Sequence, residues 1–185
     1  MTVPGPLRPL VILAGLLAAW QALVTVTGVQ FFILPPPLSV GRALLQRWDL
    51  ILPHAGTTLA EILLGLVFGL ALGVGTALTM AYFRPARRWL LPVLVVSQAI
   101  PVFAIAPLLV LWLGYGIQSK VAMAAMIIYF PVTAAFFDGL RRTEPGWLDL
   151  AQVMDGGRWA VLRHIRIPAA LPALASGLRV ATAVA

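Results

Sequence analysis

The chain contains no cysteine among its 185 residues. A disulfide framework, a thiolate metal site and a cysteine nucleophile are therefore excluded. Charge is almost as scarce. Only 10% of the residues are Asp, Glu, Lys or Arg, against about a quarter in an average soluble domain. Apolar residues make up 61%, and the mean hydropathy is +0.98. So apolar a chain is neither disordered nor a water-soluble globule, because it has too few charges to cover a core of that composition. Lipid must serve as part of its solvent. Lysine occurs once, at Lys120, so no G-x-x-x-x-G-K-[ST] phosphate loop is present. The nucleophile elbow, the H-E-x-x-H zinc motif and the glycine-rich dinucleotide fingerprint are absent too. The only histidines, His54 and His164, stand far apart in sequence and suggest no metal site. The sequence thus offers no catalytic residue, no metal ligand set and no cofactor site of its own.

What charge there is leans one way. Twelve arginines and one lysine against six acids give a net charge of +7. The arginines fall in short clusters between apolar runs. That is the pattern of cytoplasmic loops rather than of a nucleic-acid face.

The apolar runs predict about five spanning helices, near residues 9–28, 60–83, 89–113, 121–138 and 168–185. The first carries no clean small-x-small cleavage site and reads as a retained helix rather than a signal peptide. Residues 31–40, FFILPPPLSV, read as an extended loop, since consecutive prolines cannot occupy a helix interior. Residues 40–52 read as one amphipathic stretch on the membrane surface, with Arg42, Arg47 and Asp49 on its polar side. In the second run Gly65, Gly69, Gly73, Ala77 and Ala81 recur every four residues. They make one small-residue face on which another helix can approach closely. Glu61 opens that run. The third run carries Pro92, Pro101 and Pro107, which predict a bent span; by this feature alone the bend serves either a transport path or plain packing. The last run is still apolar at Ala185 and contains Arg179, so the sequence reads as truncated at its C-terminal side. With the N-terminus inside, nine basic residues fall on the cytoplasmic side and three on the other. The whole is read as a single transmembrane domain, 1–185, with residues 139–167 outside the bilayer.

That segment is the informative one. It predicts two short amphipathic helices around the Gly156-Gly157 turn. It reads Asp149-Leu150-Ala151, then Gln152-Val153-Met154-Asp155-Gly156-Gly157, and closes Ile165-Arg166-Ile167-Pro168. This resembles the E-A-A-x-x-x-G-x9-I-x-L-P loop of permease subunits of ATP-binding-cassette importers. In that register Asp149 stands for Glu, Leu150 and Ala151 for the two alanines, and Ile165 and Pro168 fall in place. Ile167 replaces Leu, and Asp155 holds the glycine position. Either Asp155 adopts the turn conformation or Gly156 takes it over. The stretch SQAIPVFAIAPLLVLWLGYGIQSK (97–120) and the Leu34-Pro35-Pro36-Pro37 loop are similar to the sulfonate, taurine, nitrate and pyrimidine branch. IIYFPVTAAFFDGLRRT (127–143) looks most like permeases for hydroxymethylpyrimidine-type thiamine precursors.

The resemblance implies an all-α polytopic membrane protein, a type I importer permease of the bacterial inner membrane, multi-pass with its N-terminus in the cytoplasm. It implies a second permease copy, an ATPase subunit holding ATP and magnesium, and an extracytoplasmic binding protein. The coupling residues would be Asp149, Leu150, Ala151, Asp155 and Gly156. The translocation path would include Pro101, Phe103, Pro107 and Tyr129. Two other classes stay open. An ion-coupled secondary transporter would need intramembrane charges, for which Glu61 and Arg179 are the candidates. A non-transporting membrane scaffold would need neither.

Overall fold

The structure is a computed structural model that describes residues 7–184. It is helical, with no strand among the described residues. It divides into two compact units, Met1–Thr57 and Thr58–Ala185.

In the first unit α1 spans Arg8–Thr27 and stops at Gly28, which takes the left-handed conformation at φ 60°. That φ is open to glycine without a Cβ clash. None of the residues of α1 is buried within the chain. Helix α2, Pro37–Gln46, begins earlier than the proline run suggested. Pro36 stays extended at ψ 147°, and Pro37 enters as the first helical residue. A proline is tolerated there because its missing N–H has no intrahelical partner anyway. The predicted single amphipathic stretch 40–52 is interrupted. The helix breaks at Arg47, and α3 (Trp48–Tyr82) starts immediately after it.

The second unit is organised around α6 (Ile117–Arg141), which carries more of the buried side chains than any other helix, among them Ile128, Val132, Thr133, Phe136, Phe137 and Leu140. On one side lies α3 from Thr58 onward. Its glycine face is seated on α6: Gly65 against Ala124, Gly69 against Ile128 and Gly73 against Val132. Each pair is offset by the same 59 residues as Glu61 and Lys120, which are bonded to each other. A constant offset means that the two helices run parallel. On the other side lies α9 (Ile167–Val184). Gly139 of α6 meets Ala170 and Ala173, whereas Ala135 and Pro131 meet Gly177. Position falls on one helix as it rises on the other, so α6 and α9 are antiparallel.

The parallel pair has a topological consequence. The chain leaves α3 at Tyr82 and enters α6 at Ile117, at the opposite end of the same stack. Residues between them must cross back. They do so as α4 (Arg84–Gln98) and α5 (Val102–Leu113), which meet at a bend of 100°. The bent third run is therefore one broken crossing. Of its three prolines only Pro101 sits at the break, extended at ψ 120° as the cap of α5. Pro92 and Pro107 lie inside helices. With the broken pair counted once, the described residues hold five candidate spans, the number the apolar runs predicted.

The segment after α6 departs from two separate short helices. Helix α7 (Pro145–Val153) is short, as expected. The second helix, α8 (Arg158–Val161), does not end. It passes through a π turn at Leu162–Arg166 straight into α9. Pro168 lacks an N–H to continue the α ladder, and the wider π turn closes instead with the Ile167 N–H on the Leu162 carbonyl.

Candidate functional site

The two ends of the second unit differ in charge. At one end Glu61 and Lys120 form an ion pair of 2.9 Å. Glu61 is 9% exposed. At the other end lie the close of α3, the start of α4 and all of residues 141–166, with Arg84, Arg87, Arg88, Arg141, Arg142, Arg158, Arg163 and Arg166. Arg158 holds the two parts of this end together. Its Nη2 donates to the Tyr82 carbonyl at 2.6 Å, and its guanidinium lies 5.4 Å from the centre of the Tyr82 ring. A cation at the carbonyl end of α3 is also favoured by the helix dipole.

Helix α7 projects from that basic end. Pro145 occupies its first turn after Glu144, where the lost N–H costs nothing. Its end answers the question left by Asp155. Asp155 takes the left-handed conformation at φ 52°. Its N–H reaches the Gln152 carbonyl at 3.1 Å, and the Gly156 N–H reaches the Ala151 carbonyl at 2.8 Å. These two bonds make a Schellman cap with aspartate in the glycine seat. Aspartate enters that region more readily than most residues. Gly156 is required for another reason. A Cβ there would lie 2.8 Å from the Ala151 oxygen, so only glycine lets the chain pass so close.

The capped helix turns an apolar face outward. Leu150, Val153 and Met154 are exposed by 60%, 86% and 74%. Trp147, Leu150, Ala151 and Met154 also wall a groove of about 460 Å³ with Ile165 and Pro168 on its far side. Of the five predicted coupling residues, Asp149 and Leu150 are exposed on α7, Ala151 is buried beneath it, and Asp155 and Gly156 form its cap. Val153 and Met154 carry more exposed apolar surface than any of the five. Val153 and Met154 lie between the predicted Ala151 and Asp155, and their place as two apolar residues directly before a turn was the sequence signal for them.

The four predicted path residues do not share one cavity. Pro101 and Phe103 line a cavity of about 490 Å³ with Ser97 and Gln98. Tyr129 lines another of about 740 Å³ with Thr76 and Gln118. Pro107 lines neither. Phe130 forms a wall of both, and no sequence feature distinguished it from its apolar neighbours. Tyr129 Oη donates a long hydrogen bond of 3.4 Å to Thr76 Oγ1.

Among the described residues, Arg179 is the one charge set well inside a candidate span. Gly177 abuts Ala135 and Pro131, and Ala181 packs with Ile128 and Val132. Arg179 therefore lies level with the middle of α6. It is turned about 200° from Gly177 around the helix, away from α6, and it is exposed. Ser176 and Thr182 flank it on the same outer side. No carboxylate pairs with it among the described residues.

Comparison with known proteins places this architecture. Residues 65–185 match the family described as binding-protein-dependent transport system inner membrane component. A probable ABC transporter permease protein of Haemophilus influenzae is 50% identical over 179 residues, covering 97% of this chain and 73% of the relative. The formylaminopyrimidine transport permease protein ThiX of Halalkalibacterium halodurans is 34% identical over 180 residues, covering 97% of this chain and 72% of the relative. The taurine transport system permease protein TauC of Escherichia coli is 29% identical, covering 91% and 64%. No solved structure matches. The chain belongs to the binding-protein-dependent transport system inner membrane component family. It is a multi-pass permease subunit of an ABC transporter, of the branch that includes pyrimidine, taurine and sulfonate permeases.

Proposed function

We propose that the chain forms the membrane path of an importer powered by a separate ATPase subunit, with α7 as the mechanical link. The observation that carries this is the exposed face of Leu150, Val153 and Met154 on a helix whose end is fixed by the Asp155–Gly156 cap. A rigid apolar helix standing outside the bilayer suits a groove on a soluble partner. ATP and magnesium would be held by that partner, and this chain would hydrolyse nothing. Movement of α7 would pass to α8 and, through the unbroken helix, to α9. The ATPase must bind α7 more tightly in one state of the path than in the other, or no work is transmitted.

The basic end bearing α7 would face the cytoplasm, and the N-terminus would lie on that side too. Its eight arginines against the single Lys120 at the other end support this orientation. A second permease copy would complete the path, and an extracytoplasmic binding protein would deliver solute to the end marked by Glu61 and Lys120. Pro101, Phe103 and Tyr129 would line the path, with Phe130 between their two cavities and Pro107 stiffening α5. The solute we favour is a hydroxymethylpyrimidine-type thiamine precursor, in line with the pyrimidine permease among the relatives. One observation favours a second reading, a sulfonate such as taurine. Arg179 sits at mid-depth with no carboxylate beside it among the described residues, and a charge so placed asks for an anionic partner or water.

The test is a cysteine scan of residues 145–157 against an engineered cysteine in the ATPase groove. Crosslinks should peak at Val153 and Met154 and be weak at the buried Ala151. A scan with no crosslink anywhere in the segment would sink the coupling role. Competition of uptake in proteoliposomes by methylpyrimidines and by taurine separates the two solute readings.

A further inference from the structure

Beside the coupling helix, and distinct from its apolar groove, lies a second cavity of about 620 Å³ walled by Arg84, Arg87, Arg158 and Arg166 together with Gln152 and Gly156. None of its lining residues is acidic. None of the four arginines has a carboxylate within ion-pair distance among the described residues. Four guanidiniums around one cavity repel each other unless an anion sits among them. Arg166 adds a sharper sign. Its Nε is buried and has no hydrogen-bond acceptor. A buried donor left without a partner is costly. Arg158 is already fixed by its bond to the Tyr82 carbonyl and its stacking on the Tyr82 ring, so its remaining donors are pre-organised. The π turn at Leu162–Arg166 sets where Arg166 emerges from the helix.

We propose that this cavity binds a phosphate group. Planar guanidinium forks match phosphate oxygens two at a time, and the tetrahedral oxygens of a phosphate accept from forks in several planes, unlike the two coplanar oxygens of a carboxylate. The cavity lies at the end of α3, where a spanning helix leaves the hydrocarbon, which is the level of lipid headgroups. The phosphate can come from an anionic phospholipid or from a soluble phosphate compound. In either case it bridges two separate segments. Arg84 and Arg87 belong to the α3–α4 junction, whereas Gln152 and Gly156 belong to the cap of α7. An occupied cavity would hold the coupling helix in register with the membrane helices.

The inference does not depend on the ATPase reading, and its test uses the permease alone. The full chain, purified in a neutral detergent, would be titrated with phosphatidylglycerol, with phosphatidylcholine and with inorganic phosphate, and its thermal unfolding midpoint followed. Phosphatidylglycerol should raise the midpoint and phosphatidylcholine should not. R166Q should weaken the apparent affinity about tenfold, the loss of one charge-assisted hydrogen bond. R84Q and R87Q, at exposed positions that leave the fold intact, should weaken it in the same direction. R163Q removes the same charge at the same end but outside the cavity, and should change the affinity less than about twofold. A response to phosphatidylglycerol alone assigns the site to a headgroup. An equal response to inorganic phosphate assigns it to a soluble phosphate. Absence of any anion effect overturns the proposal. So does an equal loss in R163Q and R166Q, which would reduce the effect to diffuse attraction.

Discussion

The two faces of the second unit solve opposite problems. Along the α3–α6 contact, side chains have been stripped away until backbones meet: Gly65, Gly69 and Gly73 leave no room for even a methyl group. Along α7, large apolar side chains are held out in the open: Leu150, Val153 and Met154 touch little of their own chain. In a lipid solvent, burying apolar surface does not drive two helices together, so association rests on close van der Waals approach. Outside the bilayer the reverse holds. Exposed apolar surface is costly in water and marks a site that another molecule covers. The first contact is finished within the chain, and the second waits for a partner.

The largest break in that comparison should come from filling the glycine contact. A Cβ on Gly69 would lie 2.7 Å from the Ala125 carbonyl and 2.8 Å from Ile128 Cβ. Backbone cannot give way as a flexible side chain can, so G69L should cost about 3 kcal/mol or more, read as loss of the folded species in a detergent melt. An unchanged melt would mean that α3 and α6 do not pack in parallel register. The exposed face of α7 should behave in the opposite manner. V153D should move stability by no more than about 0.5 kcal/mol, while ATPase co-purification falls to background. A variant that melts early and still binds ATPase would reverse the assignment of the two faces.

Smaller effects sharpen the picture. G156V would press its Cβ on the Ala151 carbonyl, 2.8 Å away, and should loosen the cap by about 1–2 kcal/mol. Faster amide exchange over residues 150–157, with α6 unchanged, is the expected signature. E61Q removes a pair whose lysine is 59% exposed. Solvent screening keeps its worth to about 0.5–1 kcal/mol, read as a small drop in the detergent melting midpoint. D155G should act in the opposite, stabilising direction. It relieves a left-handed aspartate at φ 52° and should stabilise the cap by about 0.5–1 kcal/mol, visible as slower exchange at the Gly156 amide.

Much of this arrangement was legible in the sequence. The five spans follow from runs of apolar residues longer than a bilayer is thick. The small-residue face at Gly65, Gly69 and Gly73 follows from its four-residue spacing, and a bend within the third run follows from its three prolines. Other features were out of reach. The pairing of Glu61 with Lys120 joins residues 59 apart, and nothing local marks either as the other's partner. That Pro101, not Pro92 or Pro107, makes the break depends on what packs around α4 and α5. The continuity of α8 with α9 ran against the amphipathic pattern, because a π turn absorbs the change of face.

The sequence by itself determined that this chain belongs in a membrane and how many of its apolar runs are long enough to cross one. Those are consequences of composition and spacing, which act residue by residue on the solvent each stretch can tolerate. Only the tertiary structure decided which residue of α3 is seated against which residue of α6, that Glu61 pairs with Lys120, and that four arginines from separate segments wall one cavity. Direction and juxtaposition come from which small residue is seated against which neighbour. That information lies in pairs of positions far apart in the chain, and no single stretch carries it.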